Sequence, residues 1–329
     1  MILDILFFII ACIVLVQSNN LLVKSLSKLS SILRLTEFSL GFILVAIATS
    51  LPEMFVGIMS AIEGTPSLSV GNVIGSNIAD LTLVIGIAVL LAKNINIDST
   101  LIKKDMVYML LITMLPVILL VDHLFWNFFG LFPNMIQGLS RLDGLILLLV
   151  FAKYIYNLIK QEQQFSKKVD SVPRKDAFKY LLFALLSLTF LLVTSNFVVK
   201  FAQIISIDLN ISPLMVGIFL VAVGTSLPEL VFTSKAVMTE HQSMAIGDLI
   251  GSVIANSTLV LGITAIITPV IINAAVYLTS TLFMVFSAFI FFTFAESDNK
   301  ITWYEGISLL MLYVLFIVIE FYVKSLSIA

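Results

Sequence analysis

The chain is poor in charged residues and in the side chains that bind transition metals. Only 12% of its 329 residues are charged and 60% are apolar, whereas a soluble domain carries about 25% charged residues. This composition excludes a soluble globular protein and predicts an integral membrane protein. Cys12 is the only cysteine, so no intrachain disulfide can form, and neither histidine lies near other candidate metal ligands.

Signatures of enzymes and of nucleic-acid binding are also missing. The formal net charge is −2, and no zinc-protease or nucleotide-binding motif occurs. The nearest match to the G-x-G-D motif of an intramembrane aspartyl protease ends at Asp248 and lacks the first glycine. We therefore expect no enzyme, no cofactor, no nucleic-acid partner and no obligate protein partner.

Long apolar runs predict ten membrane-spanning helices, since a span needs about 20 mainly apolar residues. The predicted spans are 3–23, 38–62, 70–92, 104–122, 143–160, 179–200, 212–236, 246–272, 275–295 and 302–323. The aromatic segment 122–142 is predicted to be an outer loop with an interfacial stretch. Glu320, near the end of the last span, is expected to extend towards the membrane surface.

Lysine and arginine are distributed unevenly between the two sides of this arrangement. Fifteen of the 18 basic residues lie in or beside alternate loops, and the opposite side holds only Arg141, Lys200 and Lys324. Because basic loops face the cytoplasm, we predict a multi-pass plasma-membrane protein. Both termini are expected outside the cell, and the loop 160–179 is expected in the cytoplasm.

A block of 46 residues occurs twice. Residues 41–86 and 217–262 align without a gap and are identical at 20 of 46 positions, including TSLPE at 49–53 and 225–229. Each copy lies in a half of five predicted spans, so the second half enters the membrane from the opposite face. The two halves are therefore predicted to be inverted repeats that form a site near the membrane midplane.

The fold predicted from these features is an all-α integral membrane protein with ten transmembrane helices. Two inverted five-helix repeats, 1–160 and 179–329, are joined by a cytoplasmic linker, 161–178. The second and seventh helices are predicted to be broken, because each contains a proline in the repeated motif. The first and sixth spans lie outside the repeated blocks and are predicted to gate the site as rigid bodies.

Each predicted break lies beside a carboxylate. Pro52 and Pro228 lack the N–H group that a helix needs, so the turns before them are loosened. These turns and the residues after them contain Thr49, Ser50 and Glu53 in the first copy and Thr225, Ser226 and Glu229 in the second. In hydrocarbon, broken backbone persists only inside protein or beside water, and a buried intramembrane carboxylate indicates function.

Two polar stripes are predicted to face these breaks. They consist of Asn72, Ser76 and Asp80 in the third span and Asp248, Ser252 and Asn256 in the eighth. A spacing of i, i+4, i+8 places each set on one helix face. Carboxylate, hydroxyl and carbonyl oxygens are the ligands that hard cations prefer. The sequence predicts a cation site on Glu53, Asp80 and Glu229, and Asp248 is either a residue at its mouth or a carboxylate favoured by the helix dipole.

A structural interpretation also exists for each motif taken singly. Proline in a membrane helix is often a kink, and small residues at i, i+4 often serve helix packing. Two carboxylates at matching positions of inverted repeats favour an ion site over a simple proline kink and over a role in helix packing. Asp80 is the candidate for holding a proton in that site.

The repeated blocks, (A/G)TSLPE and G(N/D)xIGSxIA(D/N), resemble the alpha-repeats of the sodium/calcium exchanger family, in the calcium/cation antiporter superfamily. The resemblance implies an antiporter that exchanges calcium for sodium by alternating access. The family's calcium-ligating glutamates match Glu53 and Glu229. Its motif threonines and serines match Thr49, Ser50, Thr225 and Ser226, its GS serines match Ser76 and Ser252, and the positions four residues further match Asp80 and Asn256.

The chain departs from the family pattern in three places. Ala48 replaces a glycine, and Asp248 stands where asparagine is common. In the prokaryotic exchangers, the residue four positions after the GS serine is asparagine in the first repeat and aspartate in the second. Here the order is reversed, with Asp80 in the first repeat and Asn256 in the second. The alternatives to calcium/sodium exchange are a calcium/proton or potassium-dependent exchanger of the same superfamily and, in a different class, a cation channel.

Overall fold

The computed structural model describes residues 2–32, 45–97, 100–128, 138–165, 177–239, 241–271 and 274–328. In these residues the helices are α1 Ile2–Ile32, α2 Val45–Thr49, α3 Leu51–Ile62, α4 Pro66–Ala79, α5 Ile85–Ala92, α6 Thr100–Phe128, α7 Arg141–Phe165, α8 Ala177–Asp208, α9 Pro213–Val216, α10 Ala222–Thr225, α11 Leu227–Met238, α12 Gln242–Ala255, α13 Leu261–Ile267, α14 Ala274–Glu296 and α15 Trp303–Ile328. Three π-helical turns, Asp80–Val84, Gly217–Val221 and Asn256–Val260, join α4 to α5, α9 to α10 and α12 to α13.

These helices form ten successive spans within the described parts of the chain. The second span combines α2 and α3, the third α4 and α5, the seventh α9 to α11, and the eighth α12 and α13. In the described residues, eight helical segments are long and apolar enough to cross a membrane by themselves. The predicted all-α architecture of ten spans is confirmed, and α6 extends to Phe128, further than the predicted fourth span.

Two hydrogen bonds show that the halves run in opposite directions. Near its start, the second span contacts the eighth through Thr49 and Ser252. At its end, the Ala61 carbonyl accepts a bond from Thr268 Oγ1, just beyond α13, at 2.8 Å. The second and eighth spans are therefore parallel. Because α11 and α12 pack as consecutive antiparallel helices, the seventh span is antiparallel to the second.

The first and sixth spans, α1 and α8, pack side by side along their length. Phe7, early in α1, stacks on Phe201, late in α8, with ring centroids 5.6 Å apart. Large apolar side chains such as Phe190 and Leu192 of α8 remain exposed, as is expected of a surface in contact with lipid. The pair meets the seventh span where Cys12 approaches Gly224.

Four short strands were not foreseen from the sequence. They are β1 Asn94–Asn96, β2 Gly138–Leu139, β3 Val270–Ile271 and β4 Lys300–Thr302. The strand after the third span, β1, pairs with the strand before the tenth, β4. Likewise, β3 follows the eighth span and pairs with β2 before the fifth. The two antiparallel pairs therefore repeat the internal symmetry at opposite ends of the helices.

The predicted linker 161–178 is described only at its two ends. The helix α7 continues to Phe165 and α8 begins at Ala177, and residues 166–176 lie outside the described part of the chain. The division of the chain into 1–160, 161–178 and 179–329 stays a prediction.

Candidate cation site

Both breaks occur at a serine with nearly the same backbone conformation. Ser50 has φ −79° and ψ 1°, and Ser226 has φ −80° and ψ 1°. The helices α3 and α11 begin at the next residue, with Pro52 and Pro228 in their first turns, where a missing N–H removes no helical bond. The predicted broken helices are confirmed, and the breaks directly precede the turns that carry the glutamates.

All twelve residues predicted from the sequence are buried. Their exposed fractions lie between 0% and 4% for Thr49, Ser50, Glu53, Asn72, Ser76, Asp80, Thr225, Ser226, Glu229, Asp248, Ser252 and Asn256. A site this enclosed excludes bulk water, so unpaired charges within it are strongly disfavoured. Both alternatives for Asp248 are wrong: the residue is fully buried, so it does not lie at an open mouth, and it lies beyond the first turn of α12, where the helix dipole has little effect.

Hydrogen bonds join the first break to the eighth span. Thr49 Oγ1 donates to Asp248 Oδ1 at 3.1 Å and lies 3.1 Å from Ser252 Oγ. Ser50 Oγ also donates to Ser252 Oγ, at 3.2 Å. One carboxylate and three hydroxyl groups therefore converge at this break.

The second break makes the mirrored contacts with the third span. Thr225 Oγ1 donates to Asn72 Oδ1 at 3.0 Å and lies 3.3 Å from Ser76 Oγ. Ser76 Oγ approaches Glu53 Oε1 at 3.5 Å, the limit of a hydrogen bond. The polar residues of one repeat therefore complete the break of the other, as the sequence predicts for inverted repeats.

The carboxylates of the site have few partners among the described residues. Both oxygens of Asp80 and of Glu229, one oxygen of Glu53 and one of Asp248 are buried without a hydrogen-bond donor there. The four groups lie near enough to interact electrostatically. The partial positive charge at the N-terminal ends of α3 and α11 offsets only part of the negative charge of the two glutamates. The remaining charge requires cations or protons.

Convergence of the carboxylates alone is not sufficient for a metal site. Within the described residues, no group of three or more carboxylate, imidazole or thiolate side chains is placed to hold a metal ion. A cation at the breaks therefore needs the neutral hydroxyl and amide oxygens as ligands, or movement of the carboxylates towards one another. The donor set as a whole is oxygen, which suits hard cations.

Close backbone approach brings the third span against the seventh. A Cβ atom on Gly71 would lie 2.1 Å from the Leu214 carbonyl oxygen, and one on Gly75 would lie 2.3 Å from that of Ile218. Only glycine permits this contact, as in the close helix pairs of other membrane proteins. The contact places Asn72 and Ser76, the neighbours of these glycines, against Thr225.

Mirrored π-helical turns begin at Asp80 and Asn256, and sequence reasoning missed them. Thr82 Oγ1 donates to the Ile78 carbonyl, and Thr258 Oγ1 donates to that of Ile254 at 2.5 Å. Such bonds from threonine to the preceding turn bend helices, and π-turns often occur at functional sites. The threonines are identical in the aligned repeats, and this was the available signal.

A further hydrogen bond without a mirrored counterpart links the two polar stripes. Asn77 Nδ2 donates to Ser257 Oγ at 2.8 Å, so the third and eighth spans are joined beside Asp80 and Asn256. In the aligned repeat these positions are Val253 and Leu81. Neither Asn77 nor Ser257 fits the repeated pattern, so the repeat does not single them out.

Ten spans in two inverted repeats, with broken helices around buried carboxylates, define the architecture of a secondary transporter. The family of sodium/calcium exchanger proteins matches residues 3–160 and 179–322, and the chain belongs to this family. The resemblance found in the repeated motifs is thereby confirmed, and the chain is a multi-pass membrane protein of a transporter family.

Individual relatives agree with this assignment over most of the chain. A putative antiporter, CaxA of Alkalimonas amylolytica, is 30% identical over 82% of this chain and 82% of its own length. The sodium/calcium exchanger MaX1 of Methanosarcina acetivorans is 28% identical over 94% and 96%. The solved structure of the sodium-calcium exchanger NCX_Mj, at 27% identity, covers 96% of this chain and 98% of its own, with a TM-score of 0.65.

Proposed function

We propose that this protein is a secondary active antiporter that exchanges calcium for sodium by alternating access. The observation that carries the proposal is the mirrored pair of broken helices around buried carboxylates, most of whose oxygens have no hydrogen-bond donor among the described residues. The fold that the protein shares with its relatives supports the same function. Glu53, Glu229 and Asp80 are the proposed charged ligands of the cations.

The neutral oxygens of the site are the proposed additional ligands. They belong to Thr49, Ser50, Thr225, Ser226, Ser76, Ser252, Asn72 and Asn256. Hydroxyl and amide oxygens complete the shell of a dehydrated cation without adding charge. These neutral ligands come from both repeats.

Charge balance accounts for exchange between the two ions. One calcium ion leaves one of the three proposed charges uncompensated, whereas three sodium ions, or two and a proton, balance all three. Calcium and sodium share these ligands, so the full sets of both cannot bind together. This mutual exclusion couples the movement of one ion to that of the other.

The moving element is proposed to be the pair of α1 and α8. These helices contact each other extensively, and they pack against both broken spans, α2–α3 and α9–α11, with Cys12 near Gly224. Sliding of such a pair past the fixed site opens it to one face of the membrane and then to the other. We place the protein in the plasma membrane with both termini outside, because the basic residues lie at the opposite face.

The test is radiolabelled calcium uptake into proteoliposomes that contain the purified protein. Outward gradients of sodium, potassium and protons are imposed one at a time. We expect uptake with the sodium gradient alone. Uptake driven by protons, or uptake that requires potassium, would support the alternative exchangers, and passive flux without any counter-ion would support a channel.

Site variants test the assignment of the ligands in the same assay. Glu53→Gln and Glu229→Gln are expected to abolish sodium-driven uptake while the proteins remain folded. Glu63→Gln is the matched control, because Glu63 terminates the same helix as Glu53 but is exposed. Wild-type uptake in either of the first two variants would refute the assignment.

A further inference from the structure

The two breaks are alike in geometry but differ in charge. Thr49 donates to the Asp248 carboxylate, whereas its counterpart Thr225 donates to the Asn72 amide oxygen. Each threonine also contacts the GS serine of the opposite repeat, Ser252 or Ser76. At the position that contacts the threonine, one break therefore has a carboxylate and the other an amide, and the Glu53 carboxylate approaches Ser76 at the second break.

The Asp248 carboxylate lacks compensation for its charge. Its side chain is 0% exposed, and its second oxygen, Oδ2, has no donor among the described residues. An ion pair between Lys103 and Glu296 lies elsewhere in the protein. An ionised carboxylate buried with a single hydroxyl donor is strongly disfavoured unless a cation or a proton neutralises it.

The surroundings of Asp248 suit a small monovalent cation. One carboxylate balances one positive charge, and Thr49 Oγ1 and Ser252 Oγ, 3.1 Å apart, supply neutral oxygens. We propose that Asp248 joins Thr49 and Ser252 in a sodium subsite, whose aligned counterpart has the Asn72 amide in place of this carboxylate. The choice of sodium rests on the proposed function. The Asn72 amide supplies an uncharged oxygen at the corresponding position.

The position of Asp248 also fixes the face towards which this subsite lies. Asp248 is six residues from the start of α12, and Asn72 is six residues from the start of α4. Each residue therefore lies about 9 Å along its helix from the first residue, at 1.5 Å per residue. The two helices begin at opposite ends of the spans. The charged subsite is therefore displaced towards the end where β1 and β4 pair.

The test is sodium-dependent thermal stabilisation of the detergent-solubilised protein in the absence of calcium. A bound ion raises the melting temperature according to its concentration and affinity. Asp248→Asn is expected to raise the half-saturating sodium concentration by roughly tenfold, equivalent to about 1.4 kcal/mol, and to lower the Hill coefficient. Calcium-dependent stabilisation of the same variant shows that it is folded, and exposed Glu63→Gln is the control for loss of one charge.

Exchanging the charge between the two breaks provides a second measurement. The double variant Asn72→Asp/Asp248→Asn keeps the number of carboxylates and gives the carboxylate at position 72 the hydroxyl partners Thr225 and Ser76. We expect it to recover the sodium dependence lost in the single variant.

An unchanged sodium titration in Asp248→Asn, or a double variant as impaired as the single one, would overturn the proposal. These titrations measure sodium binding and need no transport. A wild-type protein that binds sodium but fails to exchange it for calcium would therefore refute the proposed function separately.

Discussion

Replacing Gly71 by alanine tests whether close contact between the third and seventh spans sets the geometry of the cation site. The new Cβ would lie 2.1 Å from the Leu214 carbonyl oxygen, whereas real Cβ contacts essentially never fall below 3.0 Å. The obstacle is backbone, so no side chain can rotate away, and the helices must part by nearly the difference.

That displacement is sufficient to disrupt the neighbouring ligands. The bond from Thr225 Oγ1 to Asn72 Oδ1 is 3.0 Å long and would lengthen beyond hydrogen-bonding distance. Overpacking of a core costs about 1–3 kcal/mol, and the lost bond costs about 1 kcal/mol more. We expect a lower melting temperature and a half-saturating calcium concentration for uptake raised by roughly tenfold, or about 1.4 kcal/mol.

Gly138→Ala is the control for this prediction. Its Cβ would lie 1.9 Å from the Val270 carbonyl oxygen, and Gly138 has φ +139°, so the substitution is at least as obstructed. It lies in the pairing of β2 with β3 rather than beside the site. Its expected effect is a lower melting temperature with unchanged calcium dependence. Unaltered calcium dependence in Gly71→Ala, measured by uptake into proteoliposomes, would refute the reasoning.

Three further variants have defined outcomes. Thr82→Val removes the hydroxyl that holds the π-turn after Asp80; calcium uptake should show weaker affinity, and Thr82→Ser should restore it. Ser280→Ala removes the donor to buried Glu320 and should lower the melting temperature by the equivalent of about 1–3 kcal/mol, more than Glu320→Gln does. Glu296→Gln breaks a half-exposed ion pair and should change stability by under about 1 kcal/mol, so a large thermal shift would contradict that view.

The spans, the inverted order and the breaks were predictable because their causes are local. Runs of apolar residues define helices of membrane length, and Pro52 and Pro228 restrict the backbone next to them whatever the surroundings. The repeat adds one non-local inference, because five spans per half force the copies to face opposite ways. This was enough to bring Thr49 and Ser252, 203 residues apart, into one predicted site.

The features that were missed depend on tertiary contacts. Glu320 was expected to extend towards the membrane surface, but it is 1% exposed and accepts a bond from Ser280 at 2.5 Å. Packing of α15 against α14 fixes that orientation, and position within a span does not reveal it. The short strands likewise depend on pairing between distant segments of the chain.

The role of Asp248 illustrates the same limit at the site. From the sequence, a place at the mouth and a place favoured by the helix dipole were equally compatible with its position. The contact with Thr49 joins residues 199 positions apart, so only the folded chain shows that Asp248 belongs with the first break. The difference between Asp248 and Asn72 then becomes a difference between two otherwise matching sites.

The most direct measurement of the central claim is the anomalous diffraction of crystals soaked with strontium, a heavier analogue of calcium. If Glu53 and Glu229 share one cation, a single peak lies between the two breaks, with oxygens of both glutamates at a little more than the 2.3–2.6 Å typical of calcium. Excess sodium should remove the peak. A peak bound by neither glutamate, or one that persists in excess sodium, would contradict the account.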